Sequence, residues 1–266
     1  MKRCLFGLLF ILLLAGAASG NLTVLGGLSH ERTADRGDAY EGIIRVRNDD
    51  QTPCEIRAYQ TDYAFQADGT TFYNDPGTSP RSNASWVSIS PQWLTLPGMS
   101  TASIRYRVEV PPDDELHGSY WSMVMIEPTV AASQVISDEG GRNQIGLLTF
   151  VRYGVQIVTD IRDTGNTEIR FSDTKLVARD GRRLLEVDLE NTGDTWLSPL
   201  FSVDLYDEQG AHAVHLDGER QRIYPGCSVR HQLDLTDIPD GQYKALAIVD
   251  NRDEYVFGAQ YDLWIQ

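Results

Sequence analysis

The sequence predicts an all-β protein made of two immunoglobulin-like β-sandwich domains in tandem. Three observations predict this fold: runs of alternating apolar and polar residues, Pro-Gly turns between those runs, and a set of short sequence marks that occurs twice. A length of 266 residues fits two domains. We place the first domain at 21–160 and the second at 165–266, with the boundary near 159–165.

Alternating runs locate individual strands. In 104–110 the even positions are apolar and the odd positions are polar, and the runs 145–157 and 185–189 alternate in the same way. Successive side chains of a strand point to opposite faces, so the pattern indicates strands with one buried face. Proline and glycine fall between the runs, as at 96–98, where they mark turns.

Three marks recur in the same order in both halves. An alternating strand ends in Asn48 in the first half and in Asn191 in the second. A Pro-Gly pair follows, at 97–98 and 225–226, and then a Gly-x-Tyr triplet, ending in Tyr120 and Tyr243, precedes a late strand. A tyrosine at that place suits a tyrosine corner, in which the phenol bonds back to the backbone. The order predicts a duplicated sandwich.

The first twenty residues have the organisation of a secretory signal peptide. Lys2 and Arg3 precede the apolar run 5–14, and small residues follow up to Gly20. We therefore expect cleavage near residue 20 and a periplasmic or extracellular product. The run is too short to span a bilayer comfortably, so we expect no membrane insertion after cleavage.

The predicted mature chain is strongly acidic. It carries 21 Lys and Arg against 38 Asp and Glu, a net charge of −17. This charge repels phosphate backbones and anionic lipid headgroups, so a nucleic-acid partner is excluded. The chain has none of the common hydrolase, zinc-protease or nucleotide-loop motifs, and we expect neither an enzyme nor a cofactor. His212 and His215 are expected on opposite faces of a strand, so no metal site is expected.

Two cysteines, Cys54 and Cys227, remain in the predicted mature chain. An even pair in an oxidising compartment can form one disulfide bond. The two cysteines hold non-equivalent places in the repeat, so such a bond would have to cross between the domains. Two separate, partly buried thiols are the alternative interpretation. For the tryptophans at 86, 93, 121 and 196 we expect packing in cores and at edges.

The frame that runs from Asn48 through 93–98, 108–111 and 118–121 to Arg152 resembles the N-terminal domain of PapD-like periplasmic pilus chaperones. In layout, the resemblance covers most of 21–266. The second domain, through Asn191 and 238–243, is also similar to the extracellular domains of WxL-interacting cell-surface proteins.

The resemblance to pilus chaperones implies a protein partner, a pilin-like subunit or another surface protein. Such chaperones lend the subunit the strand before the domain boundary, here 145–157, and anchor its C-terminal carboxylate with two cations. Arginine suits that anchor because its planar fork meets a carboxylate bidentately. The resemblance implies a basic pair and apolar strand positions as partner-binding residues: Arg32, Arg152, Leu147, Phe150, Val151 and Val155.

A second function remains open from the sequence. The segments 68–85 and 128–143 are long polar loops of the first domain, and sandwich proteins often place binding residues on such loops. These loops are compatible with a structural or adhesive envelope protein that binds the cell wall or a surface partner.

Overall fold

The computed structural model describes residues 22–129, 151–252 and 255–266. These residues form strands, with one short 3₁₀ turn at Ala84–Trp86. The strands in chain order are β1 (Leu22–Leu25), β2 (Ser29–Ala34), β3 (Ala39–Asn48), β4 (Cys54–Phe65), β5 (Thr71–Asn74), β6 (Val87–Ser90), β7 (Trp93–Leu96), β8 (Thr101–Glu109), β9 (Gly118–Thr129), β10 (Tyr153–Ile161), β11 (Ile169–Arg179), β12 (Arg182–Asn191), β13 (Leu200–Tyr206), β14 (His212–Asp217), β15 (Ser228–Asp234), β16 (Gly241–Asp250) and β17 (Val256–Ile265).

The first ten strands form two facing sheets. One has the order β1-β3-β8-β6, and the other has the order β2-β10-β9-β4-β5, with β7 also paired to β4. Strand β2 runs parallel to β10, whereas β9 runs antiparallel to both β10 and β4. The alternation predicted at 104–110 is confirmed in β8, because Ile104 is buried in the core while Arg105 is exposed.

The remaining strands form a second pair of sheets, with the orders β11-β12-β15 and β14-β13-β16-β17. Leu185, Leu189 and Phe201 belong to the core between them. β10 ends at Ile161 and β11 begins at Ile169, so the connection is short. The all-β fold with two sandwiches, predicted from the sequence, is confirmed. Among the described residues, no helix has the length and apolar character needed to cross a bilayer.

The repeated asparagines play the same structural role in both sandwiches. Asn48 is buried, and its side-chain N–H groups donate to the carbonyls of Thr52 (2.8 Å) and Leu96 (3.2 Å). Asn191 is also buried and donates to the carbonyls of Thr195 (2.7 Å) and Ile223 (3.0 Å). Each amide ties the end of its strand to the chain that leads into the Pro-Gly turn. Buried backbone carbonyls need such partners, which explains the shared residue type.

The two Gly-x-Tyr marks differ in their structures. The Tyr243 hydroxyl donates to the carbonyl of Pro239 at 3.1 Å, which is the corner contact expected from the sequence. The ring of Tyr120 instead packs against Trp86 in the 3₁₀ turn, with ring centroids 4.7 Å apart. The same sequence mark is therefore used for a backbone bond in one sandwich and for aromatic packing in the other.

The segment 68–85, expected as a loop, contains β5 and most of the 3₁₀ turn. Its middle is held by the buried carboxylate of Asp62, which accepts the backbone N–H groups of Gly77 (3.1 Å), Thr78 (2.8 Å) and Ser79 (2.7 Å). Burial alone raises the pKa of Asp62, but hydrogen bonds from Ser82 and these N–H groups outweigh it and lower the pKa. The segment is thus fixed to β4 rather than extended into solvent.

Cys54 and Cys227 both carry free thiols in this structure. Cys54 begins β4 and packs at the edge of the first core, whereas Cys227 is buried within the second core. Burial raises the pKa of both thiols. The two side chains belong to different cores, an arrangement that favours the interpretation as separate thiols.

The expectation that His212 and His215 face opposite sides of their strand is wrong. The pairing of β13 with β14 shifts register between Leu205 and Tyr206. This irregularity brings His212 to the face of His215, and both imidazoles reach Asp204 Oδ1, at 2.9 and 2.8 Å.

Candidate partner-binding face

The sheet β2-β10-β9-β4-β5 has one face toward the first core and one face away from it, which we call the outer face. On β4, Ile56 and Ala58 belong to the core, so Arg57 and Tyr59 lie on the outer face. The same alternation assigns outer-face positions on β9 and β10: Trp121, Met123, Met125, Glu127, Gly154, Gln156 and Val158.

One end of the outer face is covered by the second sandwich, and we call it the sealed end. The Trp121 ring stacks on Tyr224 with centroids 4.5 Å apart and planes inclined by 11°. The Trp121 indole N–H donates to the carbonyl of Tyr63 at 2.7 Å. Val158 is fully buried and belongs to the second core. The two sandwiches are therefore joined by a buried aromatic contact.

Polar groups around the sealed end are matched with partners. The Arg222 guanidinium lies 4.2 Å from the centroid of the Trp196 ring and pairs with Glu31. Tyr224 donates its hydroxyl proton to Gln156 Oε1 at 2.5 Å. These contacts join β2 and β10 of the first sandwich to the second.

A partly buried carboxylate belongs to the same junction. Asp160 accepts hydrogen bonds from the Ser119 hydroxyl (2.6 Å) and from the Trp196 indole N–H (3.0 Å). Burial raises the pKa of Asp160, and the two hydrogen bonds oppose this rise without cancelling it. Burial therefore disfavours the charged form of Asp160.

The other end of the outer face is open, and we call it the open end. It is a cavity of about 630 Å³ with cationic and aromatic walls, lined among others by Arg57, Tyr59, Tyr73, Trp93, Met125 and Arg152. The Arg57 guanidinium lies 4.5 Å from the Tyr59 centroid and 5.5 Å from the Trp93 centroid. Trp93 is 61% exposed and Tyr73 is 51% exposed. Such aromatic surface is typical of protein interfaces.

The cations of the open end share one loosely bound carboxylate. Arg57 and Arg152 each lie 4.0 Å from Glu127, at the outer limit of an ion pair. Glu127 also accepts the Tyr59 hydroxyl proton at 3.1 Å. Exposed pairs at this distance contribute little binding energy. Both guanidiniums thus keep donors for another carboxylate.

Among the described strands, none pairs with one side of β10 at its beginning, and we call this side the free edge. It pairs with β9 from Tyr153 to Ile161, but β2 pairs only with Gln156–Ile161. The Gln156 N–H donates to the carbonyl of Leu28 at 2.8 Å, on the side of β2. Backbone groups alternate in direction along a strand, so the N–H and C=O of Gly154 point to that same side. No described strand pairs with Gly154 there.

The partner-binding residues predicted from the sequence lie in different environments. Leu147 and Phe150 lie outside the described residues. Val151 is 52% exposed and precedes β10. Val155, expected on an exposed edge, is fully buried in the first core, because it lies on the core side of β10.

The expected basic pair is not brought together. Arg32 lies on β2 opposite Thr159, whereas Arg152 precedes β10. Seven residues of extended chain separate the two levels, about 23 Å at the usual rise. Arg32 lies over the ring of Tyr40, 5.8 Å from its centroid. The cation that accompanies Arg152 is Arg57, which was not predicted from the sequence. The one sequence feature that could have indicated Arg57 is its alternation with Tyr59 on β4.

No family model and no curated protein matches the chain, whereas solved structures do. A class 5 fimbriae chaperone, CfaA, is 14% identical with a TM-score of 0.50, over 90% of this chain and 98% of that chain. A structure of a chaperone–tip adhesin complex of CFA/I fimbriae contains a chain that is 12% identical with a TM-score of 0.48, over 92% of this chain and 98% of that one. The predicted resemblance to PapD-like chaperones is thus confirmed at the level of the fold.

Proposed function

We propose that the chain is an exported, chaperone-like protein that binds subunits of pili or other surface structures by strand pairing along β10. The carrying observation is that the free edge at Gly154 lies beside the open end with its two loosely paired arginines. A partner strand added there gains backbone hydrogen bonds, while side-chain pockets supply selectivity. Binding of this kind needs no catalytic group and no cofactor.

Gly154 suits the approach of a second strand. A side chain at this position would meet the Met123 sulfur, since an added Cβ would lie 2.1 Å from it. Methionine is flexible and polarizable, so Met123 and Met125 can adapt to different partner side chains. The backbone of a partner can therefore lie close to the sheet over a soft apolar floor.

Arg152 is the proposed carboxylate anchor, and we assign the second cation to Arg57 rather than Arg32. Both guanidiniums lie at the open end and share Glu127. A partner carboxylate that enters the cavity would meet two arginine forks, and charge-assisted hydrogen bonds to such forks are the strong ones. Arg32 stays with Tyr40 at the level of Thr159.

Site-specific photo-crosslinking in the native cell envelope tests the strand-pairing surface. A photoreactive residue replaces Val151, which is 52% exposed, and a matched control replaces Leu176, which is 38% exposed on β11 of the second sandwich. We expect a discrete adduct with an envelope or pilin-like protein from position 151 and none from position 176. Equal adducts from both positions, or none from position 151, would contradict the proposal.

A pair of substitutions separates backbone pairing from side-chain bulk. Gly154→Pro removes the N–H that points to the free edge, whereas Gly154→Ala keeps it and displaces only the Met123 side chain. We expect the proline variant to lose partner capture and the alanine variant to retain most of it. Equal capture by both folded variants would show that the edge is not used.

An adhesive role remains the second candidate function. Asp62 holds the turn at 77–79 beside β5, which gives this side of the first sandwich a fixed polar surface. Retention of the purified protein on peptidoglycan would support wall binding. A clean flow-through would remove this candidate.

A further inference from the structure

One tryptophan of the five differs from the rest. The rings of Trp86 and Trp121 pack on tyrosines, and those of Trp93 and Trp196 have arginines over them. Trp264, on β17, has no ring or cation partner among the described residues and is 59% exposed. Within the described part of the chain, Trp264 lacks the ring and cation contacts that stabilise the other four tryptophans. Its exposed ring therefore indicates an interaction site rather than a role in core packing.

Trp264 borders a groove of about 660 Å³ on the second sandwich. Its floor includes Leu263, which is buried, and its walls carry charged residues: Asp207, Glu208, Lys244 and Asp262. The lining therefore contains three carboxylates and one ammonium group. No ion pair ties Glu208 or Asp262 to a cation within the described parts of the chain. The groove has an excess of negative charge beside an open aromatic face.

We propose that this groove binds a lysine or arginine side chain presented by a basic segment of a partner protein. A cation over an indole face is attracted by the ring, and nearby carboxylates add charge attraction. The molecule already uses the same chemistry at the sealed end, where Arg222 lies 4.2 Å from the Trp196 centroid and pairs with Glu31. In the groove, Trp264 and Asp262 would take the places of Trp196 and Glu31.

The backbone beside the groove is compatible with an extended segment. Strand β17 ends its sheet, so its outer backbone groups have no strand partner in the sheet order. The net charge of −15 attracts basic segments over longer distances. This site lies on the second sandwich and does not depend on the function proposed for β10.

Titration with defined peptides tests the proposal. The probe is a short peptide of alternating lysine and serine, added to the full protein while the tryptophan indole N–H signals are followed by NMR. The Trp264 signal is identified by its loss in Trp264→Ala, and isothermal titration calorimetry gives the affinity of each variant. We expect the lysine peptide to shift the Trp264 signal most, with Trp264→Ala weakening binding about tenfold and added salt weakening it further.

Two controls make the outcome decisive. Asp262→Asn should weaken binding, whereas Asp114→Asn, which removes an exposed carboxylate of the first sandwich, should leave it unchanged. Equal affinity of the wild type and a folded Trp264→Ala would overturn the proposal. So would a Trp264 signal that moves with a neutral oligosaccharide and not with the lysine peptide, since that result assigns the groove to a glycan.

Discussion

The two ends of the outer face contain the same residue types, but these side chains are buried and paired at one end and exposed at the other. At the sealed end, Trp121 is 6% exposed and stacked on Tyr224, and Arg222 is matched with Glu31. At the open end, Trp93 is 61% exposed, and two arginines share Glu127 at 4.0 Å. Aromatic and arginine side chains thus bind the second sandwich at one end and remain available at the other. The difference indicates where a partner would dock.

The largest expected effect separates the two ends by stability. Trp121→Ala removes a buried ring and its hydrogen bond to Tyr63, so we expect a loss of about 3–5 kcal/mol in the free energy of unfolding. Trp93→Ala removes an exposed ring, and we expect a change within about 0.5 kcal/mol. Urea denaturation of the two variants measures both values. Similar losses for both would mean that the open end is also packed.

A buried histidine gives the next effect, in the second core. His231 is 2% exposed, its ring nitrogens have no hydrogen-bond partner among the described residues, and burial lowers its pKa to about 4. The unfolded chain therefore binds this proton at higher pH than the folded chain. The contribution of neutral His231 to the free energy of unfolding is fully present above pH 6.5, and about 3 kcal/mol of it is lost as the pH decreases to 4.

The substitution His231→Phe removes this titration. The phenyl ring would pack near Phe201, whose ring lies 4.5 Å from the imidazole. We expect the variant to lose less stability than the wild type between pH 7 and pH 4.5 in urea denaturation. Arg57→Ala, which changes the open end and leaves the second core intact, is the control and should keep the wild-type slope. An unchanged slope in His231→Phe would refute the assignment.

A smaller effect of the opposite sign is expected from Asp160 at the sealed end. Burial raises its pKa above the unfolded value, so its favourable contribution is present in the protonated form and is lost as the pH rises through the folded pKa. Asp160→Asn keeps hydrogen-bonding groups for Ser119 and Trp196 without the charge. We expect the variant to be more stable than the wild type at pH 7, and we expect this difference in unfolding free energy to be smaller at pH 3.5. A loss at pH 7 would show that the charge itself is needed there.

The smallest stability effects belong to the open end, where binding should change instead. Arg57→Ala and Arg152→Ala each remove a weak contact with Glu127, so we expect unfolding free energies within about 0.5 kcal/mol of the wild type. Capture of the crosslinked partner should fall in both variants. Arg47→Ala, which breaks an ion pair with Asp49 on the other sheet, is the matched control and should capture normally. Equal capture in all three variants would contradict the assignment.

The sequence predicts the scaffold better than the surface, for a physical reason. Alternation in 104–110 and the repeated Asn48 and Asn191 depend on local spacing and on the burial of single residues. The alternation predicts that Val155 and every second residue share one face of the strand, but it does not predict which face packs against the core. That choice depends on the second sheet, which comes from distant parts of the chain.

Contacts between distant strands set the candidate site, and the sequence does not contain them directly. Arg32 and Arg152 fail to converge because β2 pairs with β10 in a register that places Arg32 opposite Thr159. Arg57 joins Arg152 through two strand pairings: β4 with β9 places Arg57 opposite Glu127, and β10 with β9 brings Arg152 to the same carboxylate. The irregular pairing of β13 with β14 likewise reverses the face expected for His212.

Backbone amide exchange at β10 tests the central claim most directly. In the free protein, the amide of Gln156 should be protected by its bond to Leu28, whereas the amide of Gly154, on the same side, should exchange much faster. After the partner binds, Gly154 should become protected while Gln156 changes little. Equal protection of both amides in the free protein, or an unchanged Gly154 in the complex, would contradict the account.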